Sequence, residues 1–208
     1  MPSNNKNIVQ PDYWEEAVSQ LKKKDRILRK VIPLCEDKVL LSPGPPFLTL
    51  VRLILAQQIS VKAAATVWNK FINLVGESPS PNLISMISDD LLRNIGVSKR
   101  KIDYLKDLAN YFNSRGVCPE KWLKMDDESI ISELSRIRGV GRWTAEMFLI
   151  FNMQRPDIMP LDDFGLLKAI STHYFSGEPV SRFEAREVSV AWRPWRTVAT
   201  WYLWRSIE

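Results

Sequence analysis

Histidine, cysteine and long apolar segments are scarce in this chain of 208 residues, and each scarcity excludes a class of protein. The single histidine, His173, excludes a multi-histidine zinc site and disfavours a histidine-activated nucleophile. The two cysteines, Cys35 and Cys118, do not have the spacing of a metal motif. No apolar run approaches the ~18 residues that a membrane-spanning helix needs. Residues 1–10 are polar and lack the apolar core of a secretory signal, so we expect an intracellular protein that does not associate with membranes.

The composition that remains is that of a globular protein with a basic surface. Hydrophobic residues make up 45% of the chain, and the formal net charge is +5. A basic balance favours a polyanionic partner, although many basic proteins bind none.

Hydrophobic residues recur with helical period along almost the whole chain, and no segment alternates as a strand does. We therefore predict an all-α fold of two helical lobes, with the active site in the cleft between them. One lobe combines residues 1–45 with residues 161–208, and the central lobe spans residues 46–160. The predicted helices are 13–30, 47–58, 60–75, a short helix after Ser88, 98–112, 129–137, 142–151, 164–174 and two within 181–207.

The most informative segment is a glycine hairpin at residues 137–145, which reads IRGVGRWTA. Two glycines around one apolar residue allow a tight turn whose backbone can approach a ligand closely. The residues that follow start a helix, and the free N–H groups of a helix N-terminus attract anions such as phosphate. The pattern predicts a helix-hairpin-helix over about residues 129–152 that binds a phosphate backbone without reading its sequence.

Two adjacent acids, Asp162 and Asp163, precede the predicted helix 164–174. Acidic residues at this position often cap the helix. Asp162 suits the capping role, and both carboxylates are candidates for chemistry beside a bound phosphate.

The hairpin and three further segments resemble the helix-hairpin-helix (HhH-GPD) DNA glycosylases. Within that superfamily the chain is most similar to the 3-methyladenine DNA glycosylase II branch, whose members excise alkylated bases. The resemblance covers about residues 45–206. The three further segments are 55–64 (LAQQISVKAA), 159–163 (MPLDD) and 192–196 (WRPWR).

The resemblance implies an N-glycosidic bond cleavage in which Asp163 is the catalytic residue. A fixed carboxylate stabilises the positive charge that develops on the sugar and steers or deprotonates the attacking water. Related bifunctional glycosylases carry a lysine nucleophile at the position of Trp143. Tryptophan has no nucleophilic amine, so we predict a monofunctional enzyme that leaves an abasic site.

The resemblance also implies residues that bind the base and the DNA. Trp143, Phe164 and Trp204 are the predicted substrate-binding residues, because an aromatic face gains a cation–π attraction to a positively charged alkylated purine. The turn at residues 57–60 is predicted to fill the gap that the flipped base leaves, with the side chain that enters the DNA left open between Gln58 and Ile59. The predicted DNA-binding residues are Gln57, Gln58, Ile59, Ser60, Arg138, Gly139, Gly141, Arg142 and Thr144.

The expected partner is double-stranded DNA with damaged bases, bound by a monomer. No cofactor is required, and no iron–sulfur cluster is expected. The resemblance allows a structural Na⁺ or K⁺ on the backbone carbonyls of Arg138 and Val140. Two alternatives stay open: a glycosylase for uracil, mismatched or oxidised bases, and a helix-hairpin-helix module that binds DNA without catalysis.

Overall fold

A computed structural model describes residues 10–35, 40, 44–114 and 119–208 of the chain. Within these ranges the secondary structure is entirely helical, which confirms the predicted fold class. The α-helices are Trp14–Lys24 (α1), Leu28–Val31 (α2), Pro46–Ala56 (α3), Val61–Val75 (α4), Pro81–Met86 (α5), Asp89–Asn94 (α6), Lys99–Ser114 (α7), Pro119–Trp122 (α8), Asp127–Leu134 (α9), Arg142–Phe151 (α10), Phe164–Tyr174 (α11), Arg182–Ser189 (α12) and Arg196–Arg205 (α13). Short 3₁₀-helices cover Ile32–Cys35 and Val190–Trp192. In the described part of the chain, no helix is both long and apolar enough to span a bilayer.

The chain divides into two compact units, one formed by Met1–Ser42 with Leu149–Glu208 and the other by Pro43–Phe148. The predicted central lobe ended at residue 160, whereas the second boundary lies within α10. The reason is that Phe151, at the end of α10, packs on the rings of Trp201 and Trp204. The predicted active-site cleft stays a prediction.

The unit that contains both termini is built on a core of α1, α2, α11 and α13 side chains. Trp14 and Trp192 are fully buried in it. Asp25 is also buried, and it organises the surrounding helices. Its Oδ1 accepts from the backbone N–H groups of residues 27 and 28 at the start of α2, and its Oδ2 accepts from Tyr174 Oη–H and Trp192 Nε1–H. The extended backbone at Asp25 ends α1, so the predicted helix 13–30 is split in two.

The other unit is organised by aromatic side chains that contact one another in series. Phe47 packs on Phe112, Phe112 on Trp122, and Trp122 on Phe148, with ring centroids 5.2, 6.4 and 5.4 Å apart. Edge-to-face contacts of this kind stabilise a core beyond the area they bury. These contacts join α3, α7, α8 and α10, so α10, the helix that follows the glycine hairpin, is held in place by packing.

Local capping signals place most helix starts correctly. Ser60, Ser88 and Asp126 accept from the backbone N–H groups of Ala63, Leu91 and Ser129 respectively. Two short helices, α5 and α8, were not predicted. For α5 the signal was present in the sequence, because Ser80 caps it and proline occupies its first position.

Candidate functional site

The glycine hairpin connects α9 to α10, as in the predicted helix-hairpin-helix. Val140 N–H donates to the carbonyl of Ile137 at 3.0 Å, and both side chains are buried. Gly139 has a φ of +89°, a left-handed conformation that disfavours other residues. The turn thereby leads from the buried Ile137 to the start of α10 at Arg142 in only a few residues.

The two glycines of the hairpin differ in what surrounds them. A Cβ on Gly139 would lie 2.2 Å from Cγ of Tyr104, so the α7 ring packs directly on the hairpin backbone. A Cβ on Gly141 would meet nothing within 4 Å, and Gly141 is exposed. Gly139 is therefore required by the fold, whereas Gly141 leaves open space beside the backbone at the start of α10.

Gln57 ties the turn between α3 and α4 to the hairpin. Its Nε2–H groups donate to the Gly139 carbonyl at 2.9 Å and to Thr144 Oγ1 at 3.0 Å. The Thr144 side chain is buried. The Thr144 hydroxyl is therefore engaged within the protein, and a DNA contact of Thr144 stays a prediction. Gln57, only partly exposed, holds the two predicted DNA-binding segments together.

The rest of the turn at residues 57–60 faces solvent. Gln58 is exposed and has a φ of +57°, which is uncommon for a residue with a side chain. Ile59 is 40% exposed, and Ser60 is the exposed cap of α4. Lys101 Nζ donates to the carbonyl of Leu55 at 2.7 Å and so holds the end of α3 that leads into this turn. Burial lowers the pKa of the Lys101 ammonium.

The two arginines of the hairpin are paired with acids of their own unit. Arg138 lies over the ring of Tyr104 and within 3.5 Å of a carboxylate oxygen of Asp107. Arg142 bonds Glu128 and, at 3.0 Å, the buried Glu146, and the hydrogen bond to Glu128 raises its pKa. Both arginine side chains remain more than half exposed. Their charge is therefore partly compensated by carboxylates of the same unit.

Asp163 is the N-cap of α11, and Asp162 is not. Oδ1 of Asp163 accepts from the backbone N–H of Leu166 at 2.7 Å and from Nε1–H of Trp204 at 2.8 Å. Asp162 instead forms an ion pair with Arg182. The prediction that Asp162 caps the helix is wrong because the backbone turns one residue later, after Asp163 N–H has bonded to the carbonyl of Pro160.

The aromatic candidates lie in different surroundings. Phe164, the first residue of α11, is 80% exposed and follows Asp163 directly. Trp204 is partly buried and stacks on Phe151, with centroids 5.8 Å apart and planes inclined by 13°. Trp143 is the second residue of α10 and is partly exposed.

Trp192 and Trp195 both pack within the protein. Trp192 is buried and donates to Asp25, and Trp195 stacks on Tyr13 and donates to Gln20 Oε1 at 3.0 Å.

Three residues that shape the site were not singled out from the sequence. Tyr104 supports Gly139, Phe151 supports Trp204, and Gly165 lies against Asp163 and Trp204. Gly165 is the one that carried a usable signal, because a glycine inside an apolar helix lowers its stability and calls for a packing reason.

The cation prediction is not tested by the protein atoms. Among the described residues, no cluster of three or more His, Cys, Asp or Glu side chains could hold a metal ion. The Gly139 carbonyl is occupied by Gln57, so a cation at the hairpin would use the neighbouring carbonyls of Arg138 and Val140. A structural Na⁺ or K⁺ there stays a prediction.

The chain is similar to proteins that are named 3-methyladenine or alkylbase DNA glycosylases. The chain is 36% identical over 166 residues to DNA-3-methyladenine glycosylase 1 of Schizosaccharomyces pombe, covering 77% of this chain and 72% of that protein. It is 32% identical over 200 residues to the alkylbase DNA glycosidase-like protein mag2 of the same organism, covering 92% of this chain and 91% of that one. The solved structure of S. pombe 3-methyladenine DNA glycosylase (Mag1) in complex with abasic DNA superposes with a TM-score of 0.85 at 30% identity, covering 91% of this chain and 95% of that chain. The family model of the HhH-GPD superfamily base excision DNA repair proteins matches residues 51–194, and the chain belongs to that superfamily.

Proposed function

We propose that the protein is a monofunctional DNA glycosylase that removes alkylated purines, such as 3-methyladenine and 7-methylguanine, in base excision repair. The observation that carries the proposal is the carboxylate of Asp163, which accepts two hydrogen bonds and is adjacent in sequence to the exposed Phe164. The names of its relatives, alkylbase and 3-methyladenine DNA glycosylases, support the same substrate class. Because its substrate is genomic DNA, the protein acts in the compartment that holds the DNA.

The chemistry needs one well-placed carboxylate. As the bond between C1′ and the base nitrogen breaks, its electron pair leaves with the base and positive charge develops on the sugar. Asp163 stabilises that charge and orients a water molecule, whose oxygen bonds to C1′ and whose proton passes to the carboxylate. A purine made cationic by alkylation leaves as a neutral base, so the reaction proceeds without a general acid.

The type of residue at position 143 determines the product of the reaction. A lysine there would attack C1′ and form a Schiff base that leads to strand cleavage. An indole offers no such amine, so water is the nucleophile and the product is an abasic site in an intact strand. The indole face, like the ring of Phe164, is suited to stack on a cationic base.

DNA binding is assigned to the unit that contains the hairpin. The open space beside Gly141 admits a phosphate to the N–H groups at the start of α10. Gln58 or Ile59 fills the gap in the duplex, because both side chains are exposed and hydrogen bonds of Gln57 and Lys101 fix the turn that presents them. Flipping the base costs a few kcal/mol, and less where the damaged base pairs poorly.

The test is base release from methylated DNA by the wild type and by the variants Asp163→Asn and Asp162→Asn. We expect wild type to release 3-methyladenine and 7-methylguanine, identified by mass, without nicking the strand. Asp163→Asn should bind DNA normally and lose about 10²- to 10⁴-fold in rate. Asp162→Asn is the matched control and should retain the wild-type rate, because the carboxylate of Asp162 is next to Asp163 in sequence but is paired with Arg182.

The same assay separates the alternatives. Release of uracil or 8-oxoguanine in preference to alkylated purines would replace the substrate class. No base release from any of these DNAs would favour a DNA-binding module without catalysis. A covalent adduct trapped by borohydride would overturn the water mechanism.

A further inference from the structure

We propose that Trp204 is a positioning residue for Asp163 and that Gly165 is a glycine because their hydrogen bond needs the space. This inference rests on the proposed function, in which Asp163 performs the chemistry. It changes the role predicted for Trp204, from a surface that stacks on the substrate base to a donor that orients the carboxylate.

Two hydrogen bonds converge on a single oxygen of Asp163. The Leu166 N–H donates at 2.7 Å, which is the ordinary bond of a helix cap. Trp204 Nε1–H donates at 2.8 Å from α13, across 41 residues of sequence. A cap bond alone leaves the carboxylate plane free to rotate about the Cβ–Cγ bond. A second donor from another helix restricts that rotation and holds the carboxylate in one orientation.

The indole of Trp204 is itself held in place. Phe151 covers it with a near-parallel ring, inclined by only 13°. Phe151 is the last residue of α10, so the stack joins the end of that helix to α13. With its ring plane fixed, the indole N–H points at Oδ1 before any substrate binds, which is the preorganisation that charge stabilisation requires.

Gly165 provides the independent observation. Its φ lies outside the left-handed region, so the backbone does not require glycine at this second position of α11. A Cβ there would lie 3.2 Å from Oδ1 of Asp163 and 3.4 and 3.5 Å from Cδ1 and Nε1 of Trp204. The nearest atoms are thus the two partners of the hydrogen bond. Alanine is the better helix former. Glycine at this position therefore makes room for the hydrogen bond between Trp204 and Asp163 at the expense of helix stability.

The experiment measures single-turnover release of 3-methyladenine and 7-methylguanine by Trp204→Phe. Phenylalanine keeps a ring to stack on Phe151 but has no N–H to donate. We expect the rate to fall about 10- to 100-fold, the size of effect that a small misplacement of a catalytic group produces. The factor should be the same for both bases, the affinity for abasic-site DNA should be unchanged, and Trp204→Phe should cause less than a twofold further loss in the Asp163→Asn background.

Two further variants separate positioning from folding. Gly165→Ala should lose activity for the same reason without a fall in melting temperature, a combination that a merely structural role does not produce. Trp195→Phe is the matched control, because it removes an indole hydrogen bond to Gln20 in the same unit, and it should keep the wild-type rate. If Trp204→Phe does not fold, Gly165→Ala decides the question.

Three results would overturn the inference while leaving the proposed function intact. They are a wild-type rate for Trp204→Phe, a wild-type rate for Gly165→Ala, and a loss in Trp204→Phe that differs between the two bases. Failure of the proposed function has a different signature, in which the wild-type protein itself releases no alkylated base.

Discussion

Replacing Gly139 with alanine tests the statement that the hairpin depends on this glycine for two separate reasons. The first is the backbone, since a φ of +89° places an L-residue in the left-handed region. The second is the contact with Tyr104, whose Cγ, Cδ2 and Cβ would lie 2.2, 2.4 and 2.7 Å from the new methyl group. Separations this short require the ring or the hairpin to move.

The two costs can be assigned magnitudes. A left-handed conformation costs an L-residue roughly 1–2 kcal/mol. Overpacking a well-filled site costs about 1–3 kcal/mol. We therefore expect Gly139→Ala to lower the free energy of unfolding by about 2–5 kcal/mol.

A second glycine supplies the control for the backbone cost alone. Gly96 follows α6 with a φ of +95°, and a Cβ there would meet nothing within 4 Å. Gly96→Ala should cost only the conformational share, about 1–2 kcal/mol. The difference between the two variants measures the contact with Tyr104.

The assay is urea unfolding followed by circular dichroism, with the double variant Tyr104→Ala/Gly139→Ala included. Removing the ring should relieve the clash, so the double variant should be more stable than the sum of the single changes predicts. If Gly139→Ala and Gly96→Ala agree within about 0.5 kcal/mol, the limit for sites that do not interact, then the close approach of Tyr104 is refuted.

Two further predictions concern the turn beside the hairpin and the single histidine. Gln57→Glu replaces the donor to Gly139 and Thr144 with a carboxylate, so amide hydrogen exchange in residues 139–144 should accelerate and affinity for abasic-site DNA should fall; unchanged exchange would contradict the bracing role of Gln57. Burial lowers the pKa of His173 below its ordinary value of 6.5, so the folded protein binds this proton less readily than the unfolded chain, and stability should decline as the pH falls below 6.5. With one histidine in the sequence, its imidazole resonance can be titrated alone, and a midpoint at or above 6.5 would refute the burial argument.

Features that depend on neighbours three or four residues apart were predictable from the sequence. The helices predicted to begin at residue 60 and after Ser88 are present and are capped by those serines, and α10 and α11 have their predicted bounds. Helix periodicity, capping and the glycine turn are local properties, because each is expressed through hydrogen bonds within one or two turns of chain. The same local motifs carried the resemblance that placed the chain in its superfamily.

Roles that depend on distant partners were not predictable. Gln57 finds its acceptors 82 and 87 residues away, and Trp204 finds Asp163 across 41 residues. Only the tertiary structure shows that the Thr144 side chain is buried and bonded to Gln57.

The sequence by itself determined that the chain is helical and where the hairpin turns, since these follow from short-range patterns. Its resemblance to the superfamily led to the proposal that Asp163 is the acid that performs the chemistry. Tertiary structure alone decided what orients that acid and what supports the hairpin. The physical reason is that a side chain such as Trp204 is equally compatible with packing, stacking on a base or donating a hydrogen bond. Which of these it does is decided by the atom that folding brings within 3 Å of it.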